Sequence, residues 1–293
     1  MKKTFTLLDG FMTGGGIIAA GFLLQAVVGP VVWDAFAWPA NVIVLAVFVV
    51  IILGLYLLGK KVDALRFWGS YKAAVPAMTY AVILTIIMGL TKQTVDGTWF
   101  HNMLAFWPLV LIYTYIAIIL GVIIIRHLHR FQWKRDIPFL LNHLGLFIAL
   151  VAATLGNADM QRVKMIAAID NPEWRVMTSD GIIQELDIAI ELKKFIMETY
   201  DDGSLRRFAS NINIYTKDGQ SFDSTVDVNK PAKVNGWKIY QYGYDTQMGA
   251  LSNTSILELV RDPWLPAVYA GIFMMIAGAV SLFFIGAGRR KKV

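Results

Sequence analysis

The sequence has 293 residues, of which 56% are hydrophobic and only 16% are charged, and this composition excludes an ordinary soluble globular protein. It contains no cysteine, which excludes disulfide bonds and thiol exchange within the chain. The formal net charge of +6 is not accompanied by an interleaved basic and aromatic patch, so we predict no nucleic-acid partner.

Six apolar windows are close to the length of about 20 residues that a helix needs to cross hydrocarbon about 30 Å thick. They predict a polytopic α-helical membrane protein. The windows cover residues 11–29, 40–59, 74–91, 104–125, 137–156 and 264–286. The first window resembles a secretory signal, but a second span follows closely, so we expect an uncleaved first helix.

Basic residues orient these helices, because Lys and Arg in short loops stay on the cytoplasmic side. Lys and Arg concentrate in alternate loops. In the intervening loops at 30–39 and 92–103, Lys92 is the only Lys or Arg. We therefore predict that both termini are cytoplasmic and that residues 157–262, between the fifth and sixth helices, are extracytoplasmic. The basic loops would also contact membrane lipid headgroups.

Residues 157–262 contain several segments of alternating polar and apolar residues that are rich in β-branched and aromatic side chains. The turns DDG, KDG and VNG separate these segments. This pattern predicts one all-β, sandwich-like domain. The predicted organisation is a helix pair at 1–68, a three-helix core at 69–156, the β domain at 157–262, and a last helix with a basic tail at 263–293.

His143 is the only histidine that falls well inside an apolar window. At about 1.5 Å per residue it lies about 9 Å inside the predicted cytoplasmic edge, where an ionisable group usually faces protein or a cavity and has a function. The structural alternative is an interhelical hydrogen bond with Asn142 or with a helix carbonyl. His127 and His129 are predicted in a solvated basic loop, and His101 at the external interface.

A ligand role fits His143, because the neutral imidazole is the form that binds iron. Haem is flat and largely apolar, so it would lie between helices. Its propionates would reach basic residues at the cytoplasmic surface, namely Arg126, Arg130, Lys134 and Arg135. Six-coordinate haem needs two axial ligands, so a second histidine would come from another chain.

Three segments occur in a characteristic order: a histidine-bearing helix, an aromatic hairpin, and the start of the last helix. Their sequences are FLLNHLGLFIALVAATLGNAD, VDVNKPAKVNGWKIYQYGYD and LELVRDPWLPAVYAGIFMMIAGAV. In this order they resemble the ResB (CcsB) family of System II cytochrome c biogenesis proteins, and the likeness extends over residues 69–286.

The resemblance implies a subunit of a holocytochrome c synthase in the bacterial cytoplasmic membrane. Such a subunit moves haem and docks it for attachment to a Cys-x-x-Cys-His segment of apocytochrome c. The family's haem ligand falls on His143, and haem b would be shared with a CcsA (ResC)-like partner that carries the second ligand and a tryptophan-rich segment. This chain lacks that segment, so we expect an accessory, non-catalytic half. Reduction of the apocytochrome thiols would fall to a separate thioredoxin-like protein.

Four aromatic residues follow the predicted Asn-Gly turn of the hairpin: Trp237, Tyr240, Tyr242 and Tyr244. They form a docking face for apocytochrome or for CcsA, or they fill the β core, which is the interpretation we favour. Asp159 is expected to end the fifth helix, and Asp262 and Pro263 to begin the sixth.

Two other functions remain open from the sequence. A haem-free structural scaffold would hold CcsA and apocytochrome together, and His143 would then only pack. A transporter or channel subunit would use the same helices, but the apolar windows have no Asp or Glu in their middles, which ion pathways usually require.

Overall fold

A computed structural model describes residues 5–94, 97–129 and 131–289, without the side chains of residues 133–135 and 285–289. The chain divides into two compact units. One unit combines the described residues up to Asp159 with those from Trp264 onward, and the other comprises Met160–Pro263.

The first unit is helical. Its helices are α1 (Leu7–Val28), α2 (Ala40–Leu58), α3 (Asp63–Phe67), α4 (Tyr71–Leu90), α5 (Trp107–Leu128), α6 (Trp133–Gly156) and α7 (Leu265–Arg289). Single 3₁₀ turns lie at Trp33–Phe36, Trp99–His101, Met103–Ala105 and Asn157–Asp159. Within the described residues, six helices, all except the short α3, are long and apolar enough to cross a membrane. The six predicted apolar helices are therefore confirmed, with their ends shifted by a few residues.

Local polar groups explain where two of these helices begin. Thr6 and Asp9 form a capping box, in which Thr6 Oγ1 accepts from the Asp9 N–H at 3.3 Å and Asp9 Oδ2 accepts from the Thr6 N–H at 2.7 Å. At the start of α6, the Asp136 carboxylate accepts from the Gln132 N–H at 2.9 Å. Helix α6 therefore begins before its apolar window does, because this carboxylate satisfies a backbone donor that the helix leaves free.

Glycines let α6 and α7 approach backbone to backbone. A Cβ atom on Gly271 of α7 would lie 2.5 Å from the Gly145 carbonyl oxygen of α6, and one on Gly145 would lie 2.6 Å from the Gly271 carbonyl oxygen. Farther along the pair, a Cβ atom on Gly156 would lie 2.4 Å from Trp264 Cβ. The two helices are thus antiparallel neighbours at a separation that only glycine permits.

The second unit is an antiparallel sheet of eight strands. They are β1 (Gln161–Ala168), β2 (Glu173–Met177), β3 (Ile183–Thr199), β4 (Leu205–Thr216), β5 (Ser221–Asp227), β6 (Ala232–Val234), β7 (Trp237–Tyr244) and β8 (Thr254–Arg261). Their order across the sheet is β5-β4-β3-β2-β1-β8-β7-β6. A 3₁₀ turn at Gly249–Leu251 connects β7 to β8.

The strand order explains why this sheet curls. Strands β5 and β6 lie at opposite edges, yet only residues 228–231 connect them along the chain. The edges must therefore meet, and strands β3 and β4 face β8 and β7 across the interior. One core results, with buried residues from all eight strands, among them Val163, Val176, Ile212 and Leu257.

The all-β prediction is confirmed, but one curled sheet replaces the two separate sheets that a sandwich would have. The reason is connectivity, since strands β1 to β5 pair with their chain neighbours, β6 to β8 do the same, and the β1–β8 ladder joins the two halves. The predicted turns are also confirmed, because Gly203, Gly219 and Gly236 all have positive φ angles.

We expect Gly271→Ala to destabilise the helical unit, because the added methyl group would lie 2.5 Å from the Gly145 carbonyl oxygen. Overpacking of this kind costs about 1–3 kcal/mol. The midpoint of thermal unfolding in detergent, followed by circular dichroism, should fall. Gly54→Ala is the matched control, since a Cβ atom on Gly54 of α2 has nothing within 4 Å. Equal midpoints for the two variants would contradict the packing described above.

Candidate functional site

His143 lies in the first half of α6 and is partly buried. Its Nδ1 atom is 2.9 Å from the Phe139 carbonyl oxygen, one turn earlier in the same helix. A carbonyl oxygen only accepts hydrogen bonds, so Nδ1 must carry the proton. The lone pair of the neutral ring is therefore on Nε2, which is the atom left to bind a metal.

Two further rings hold the imidazole plane of His143. The Phe139 ring stacks on it with centroids 3.7 Å apart and planes inclined by 21°. The His127 ring stacks on the other side of Phe139, again at 3.7 Å, with planes inclined by 20°. His127 was predicted in a solvated loop, and this prediction is wrong. It lies in the last turn of α5, because that helix continues past its apolar window to Leu128.

The hydrogen bond of His143 is not the interhelical bond considered as its structural alternative. It stays within α6, and the neighbouring Asn142 uses its Nδ2 for the Pro138 carbonyl oxygen at 2.8 Å. Asn142 also packs against Gly278 of α7, where a Cβ atom would lie 2.5 Å from Asn142 Nδ2. Asn142 therefore serves the contact between α6 and α7, and His143 keeps Nε2 free.

The four basic residues predicted to contact propionates differ in what the structure describes. Arg126 donates from Nη1 to the Gly69 carbonyl oxygen at 2.7 Å and from Nη2 to the Arg66 carbonyl oxygen at 3.4 Å. It thereby holds the turn between α3 and α4. Arg130 lies outside the described residues, as do the side chains of Lys134 and Arg135.

The other two histidines have local structural contacts. His101 is exposed, and its Nδ1 lies 3.0 Å from the Lys92 carbonyl oxygen, which ties the loop between α4 and α5 together. His129 follows α5, and its ring meets the Tyr56 ring edge-on with centroids 6.5 Å apart. In the described part of the chain, no group of three or more His, Cys, Asp or Glu residues is arranged to hold a metal ion.

Asp159 connects three parts of the helical unit, which goes beyond its predicted role as a helix end. Its carboxylate accepts three hydrogen bonds of 2.7 Å each, from the Trp38 backbone N–H, Asn41 Nδ2 and Trp264 Nε1. These donors lie at the start of α2 and just before α7. Sequence reasoning missed this cluster, although Asn41 is a polar residue in an apolar window and proves to be fully buried.

The aromatic residues of β7 do not share one face. Trp237 belongs to the β core and is 6% exposed, whereas Tyr242 is 52% exposed. Tyr240 and Tyr244 are partly buried. Alternation along the strand separates Trp237 from Tyr240 and Tyr242, and a bulge between Gln241 and Gly243 shifts the register before Tyr244.

Their ring contacts distinguish the tyrosines further, since Tyr242 packs on the outside of the sheet and Tyr244 packs across its interior. Lys164 Nζ of β1 lies 3.8 Å from the centroid of the Tyr242 ring. The Tyr244 ring packs against Phe195 and Phe208, with centroid distances of 4.9 and 5.3 Å. A docking role of this hairpin therefore concerns Tyr240 and Tyr242 rather than Trp237 and Tyr244.

Comparison with known families identifies the segment that carries both the histidine and the sheet. A protein-family model described as the ResB-like family matches residues 135–256. The match covers less than half of the chain, and over it the chain is similar to the ResB-like family. The family resemblance predicted from the sequence is thereby confirmed over residues 135–256, a shorter range than the predicted 69–286. The ResB-like segment contains His143 and strands β1–β7.

Curated relatives of this chain are named cytochrome c biogenesis protein CcsB. The one from Prochlorococcus marinus subsp. pastoris is 27% identical over 130 residues, which cover 43% of this chain and 29% of the relative. The one from Prochlorococcus marinus strain NATL1A is 26% identical over 128 residues, which cover 42% of this chain and 29% of the relative. Among solved structures, cytochrome c heme lyase CcmF is 14% identical, with a TM-score of 0.36 over 83% of this chain and 45% of that chain. A likeness at that score carries no argument about fold or function.

We expect Asp159→Ala to lower the stability of the helical unit, because it removes an acceptor that three donors share. A hydrogen bond to a charged group contributes about 1.5–3 kcal/mol, and Asn41 would be left buried without this partner. Thermal unfolding in detergent measures the effect. Asp34→Ala is the control, since Asp34 is exposed and lies in the same loop before α2. Asp159→Ala unfolding at the same midpoint as the control would contradict the role of this carboxylate.

Proposed function

We propose that this chain is a ResB/CcsB-like subunit of a membrane cytochrome c synthase, and that it acts in cytochrome c biogenesis. The observation that carries the proposal is the hydrogen bond of His143, which commits Nδ1–H to the Phe139 carbonyl oxygen and leaves Nε2 for a metal. The ResB-like match over residues 135–256 and the relatives named CcsB support it.

Haem b is the group that we propose for His143. Metal-binding histidines usually donate their second ring nitrogen to a carbonyl or carboxylate, and the Phe139 carbonyl oxygen fills that position here. When bound, haem supplies the iron and the reactive macrocycle that becomes attached to the apocytochrome. His143 would hold the iron from one side through Nε2, while Phe139 and His127 keep the imidazole ring in place.

A second iron ligand would come from a CcsA/ResC-like partner, since His143 is the only histidine of this sequence that falls well inside an apolar window. Arg126, Arg130, Lys134 and Arg135 are proposed contacts for the haem propionates. A guanidinium has five N–H donors. Arg126 uses two of them for hydrogen bonds to backbone carbonyl oxygens, so three would be available to a haem carboxylate.

The proposed location is the bacterial cytoplasmic membrane. The six apolar helices would span it with both termini in the cytoplasm, and the β unit would lie on the outer side, where it would dock apocytochrome c. The covalent attachment of haem to apocytochrome c would take place on the CcsA-like partner, and this chain would be the accessory half of the synthase. A thioredoxin-like protein would keep the apocytochrome cysteines reduced.

His143→Ala should remove most of the haem from the complex purified with the CcsA-like partner, because it deletes the proposed Nε2 ligand. Added imidazole should restore part of the haem absorption, since it can occupy the space of the deleted ring. The absorption spectrum of the purified complex measures both effects. His101→Ala is the control, because it deletes an exposed imidazole in the loop between α4 and α5 and leaves the stack of His127, Phe139 and His143 intact. Full haem occupancy with an unchanged spectrum in His143→Ala would favour the haem-free scaffold instead.

The proposed topology predicts which introduced cysteines react in intact cells. The chain has no cysteine of its own, so an introduced thiol is labelled without background. Asp218→Cys, in the exposed turn between β4 and β5, should react with a membrane-impermeant maleimide. Gln132→Cys, exposed just before α6, should react only after the membrane is opened. The reverse pattern would invert the proposed direction of haem movement.

A further inference from the structure

The curled sheet of the β unit does not close completely. Strands β5 and β6 are its two edges, and within residues 160–263, all of which the structure describes, no ladder joins them; one isolated bridge pairs Asp227, the last residue of β5, with Lys230 in the segment that leads to β6. Apart from that bridge, β5 forms a hydrogen-bonded ladder only with β4, and β6 forms one only with β7. Two open edges therefore lie side by side, and open edges present backbone donors and acceptors to a further strand.

A cleft of about 420 Å³ lies between these edges. Strand β5 contributes one wall, with Phe222, Asp223 and Ser224, and β6 contributes the other, from Ala232 to Val234. The floor is apolar, since Ile214 is 2% exposed and Ala232 is 9% exposed. An inward-pointing side chain of a segment bound in the cleft would therefore meet the hydrophobic core.

The rim of this cleft is charged. Asp218, Asp223 and Lys233 line it, and none of the three forms an ion pair with another described residue. Two carboxylates against one ammonium group leave the rim with a net negative charge. This charge favours a positively charged segment and raises its rate of association.

We propose that an extended segment of a partner polypeptide enters the cleft and pairs with β5 as an additional strand. Main-chain hydrogen bonds would supply affinity, as in other cases of strand addition to an open sheet edge. Successive side chains of a strand point to opposite faces. The segment therefore alternates apolar residues, which face Ile214 and Ala232, with basic residues, which face Asp218 and Asp223. The choice of partner rests on the proposed function, under which the polypeptide is apocytochrome c before haem attachment.

A second copy of this chain fits the cleft less well than a basic segment does. Pairing of β5 with β5 of another copy would bring Asp223 and Asp227 of both copies into one short interface. Asp227 is balanced by Arg207 of β4 at 2.8 Å, but Asp223 forms no ion pair with another described residue, so the Asp223 carboxylates of the two copies would repel each other. Like charges on paired strands are destabilising, so the charge of β5 opposes self-association.

Photocrosslinking tests this inference, because the chain has no cysteine. Ser224→Cys places a benzophenone maleimide in the cleft, and Asp201→Cys places it in the exposed turn between β3 and β4 as the control. The full chain in detergent is mixed with reduced apocytochrome c polypeptide and irradiated, and mass spectrometry identifies the products. We expect residue 224 to give about tenfold more product than residue 201, on a segment that alternates apolar and basic residues.

Charge reversal at the rim is the second measurement. Asp223→Lys should lower the yield from residue 224 about tenfold, because it would place a like charge against the bound segment. Asp180→Lys, in the exposed turn between β2 and β3, should leave the yield unchanged. Equal yields from residues 224 and 201, or products that join two copies of this chain, would overturn the inference. Neither outcome bears on the haem spectrum of the complex, so the proposed function is tested separately.

Discussion

The close approach of α6 and α7 at Gly145 and Gly271 is the contact on which the arrangement of the helical unit depends. Each glycine lies against the carbonyl oxygen of the other, so neither position tolerates a side chain without separation of the two helices. The same register brings Trp264 against Gly156 at the far end of the pair. From there the Trp264 indole reaches Asp159, and Asp159 in turn holds the start of α2 through Asn41.

The candidate ligand lies on this fixed helix, two residues before Gly145. One hydrogen bond within α6 sets the tautomer of His143, and one stack of three rings sets the plane of its imidazole. Both contacts use Phe139, through its carbonyl oxygen and through its side chain. A metal ligand needs a defined lone-pair direction, and these two contacts supply it before any metal binds.

The elements of the fold could be predicted from the sequence because they depend on local patterns. Long apolar windows predict the six helices, alternation predicts the strands, and Asn235 and Gly236 adopt the positive φ angles that their turn requires. Contacts between distant residues could not be predicted in this way. Asp159 lies 121 residues from Trp38 and 105 from Trp264, and no local pattern pairs them.

The candidate site shows the same division between local and distant information. The depth of His143 in its window follows from residue counting, but its stack with His127 depends on where α5 ends. That helix extends to Leu128, three residues beyond the apolar window. The curl of the sheet could not be predicted from local sequence patterns either, because it follows from the pairing of the first strand, β1, with the last strand, β8.

Replacement of His143 by cysteine provides the most direct measurement of whether residue 143 binds haem iron. The native chain has no cysteine, so any thiolate that this polypeptide gives to iron in His143→Cys must come from residue 143. Electron paramagnetic resonance of the ferric complex, purified with the CcsA-like partner, distinguishes thiolate from imidazole coordination. We predict a thiolate signal in His143→Cys that the unsubstituted complex lacks. A variant that retains full haem with the spectrum of the unsubstituted complex would contradict the assignment of His143 as the ligand.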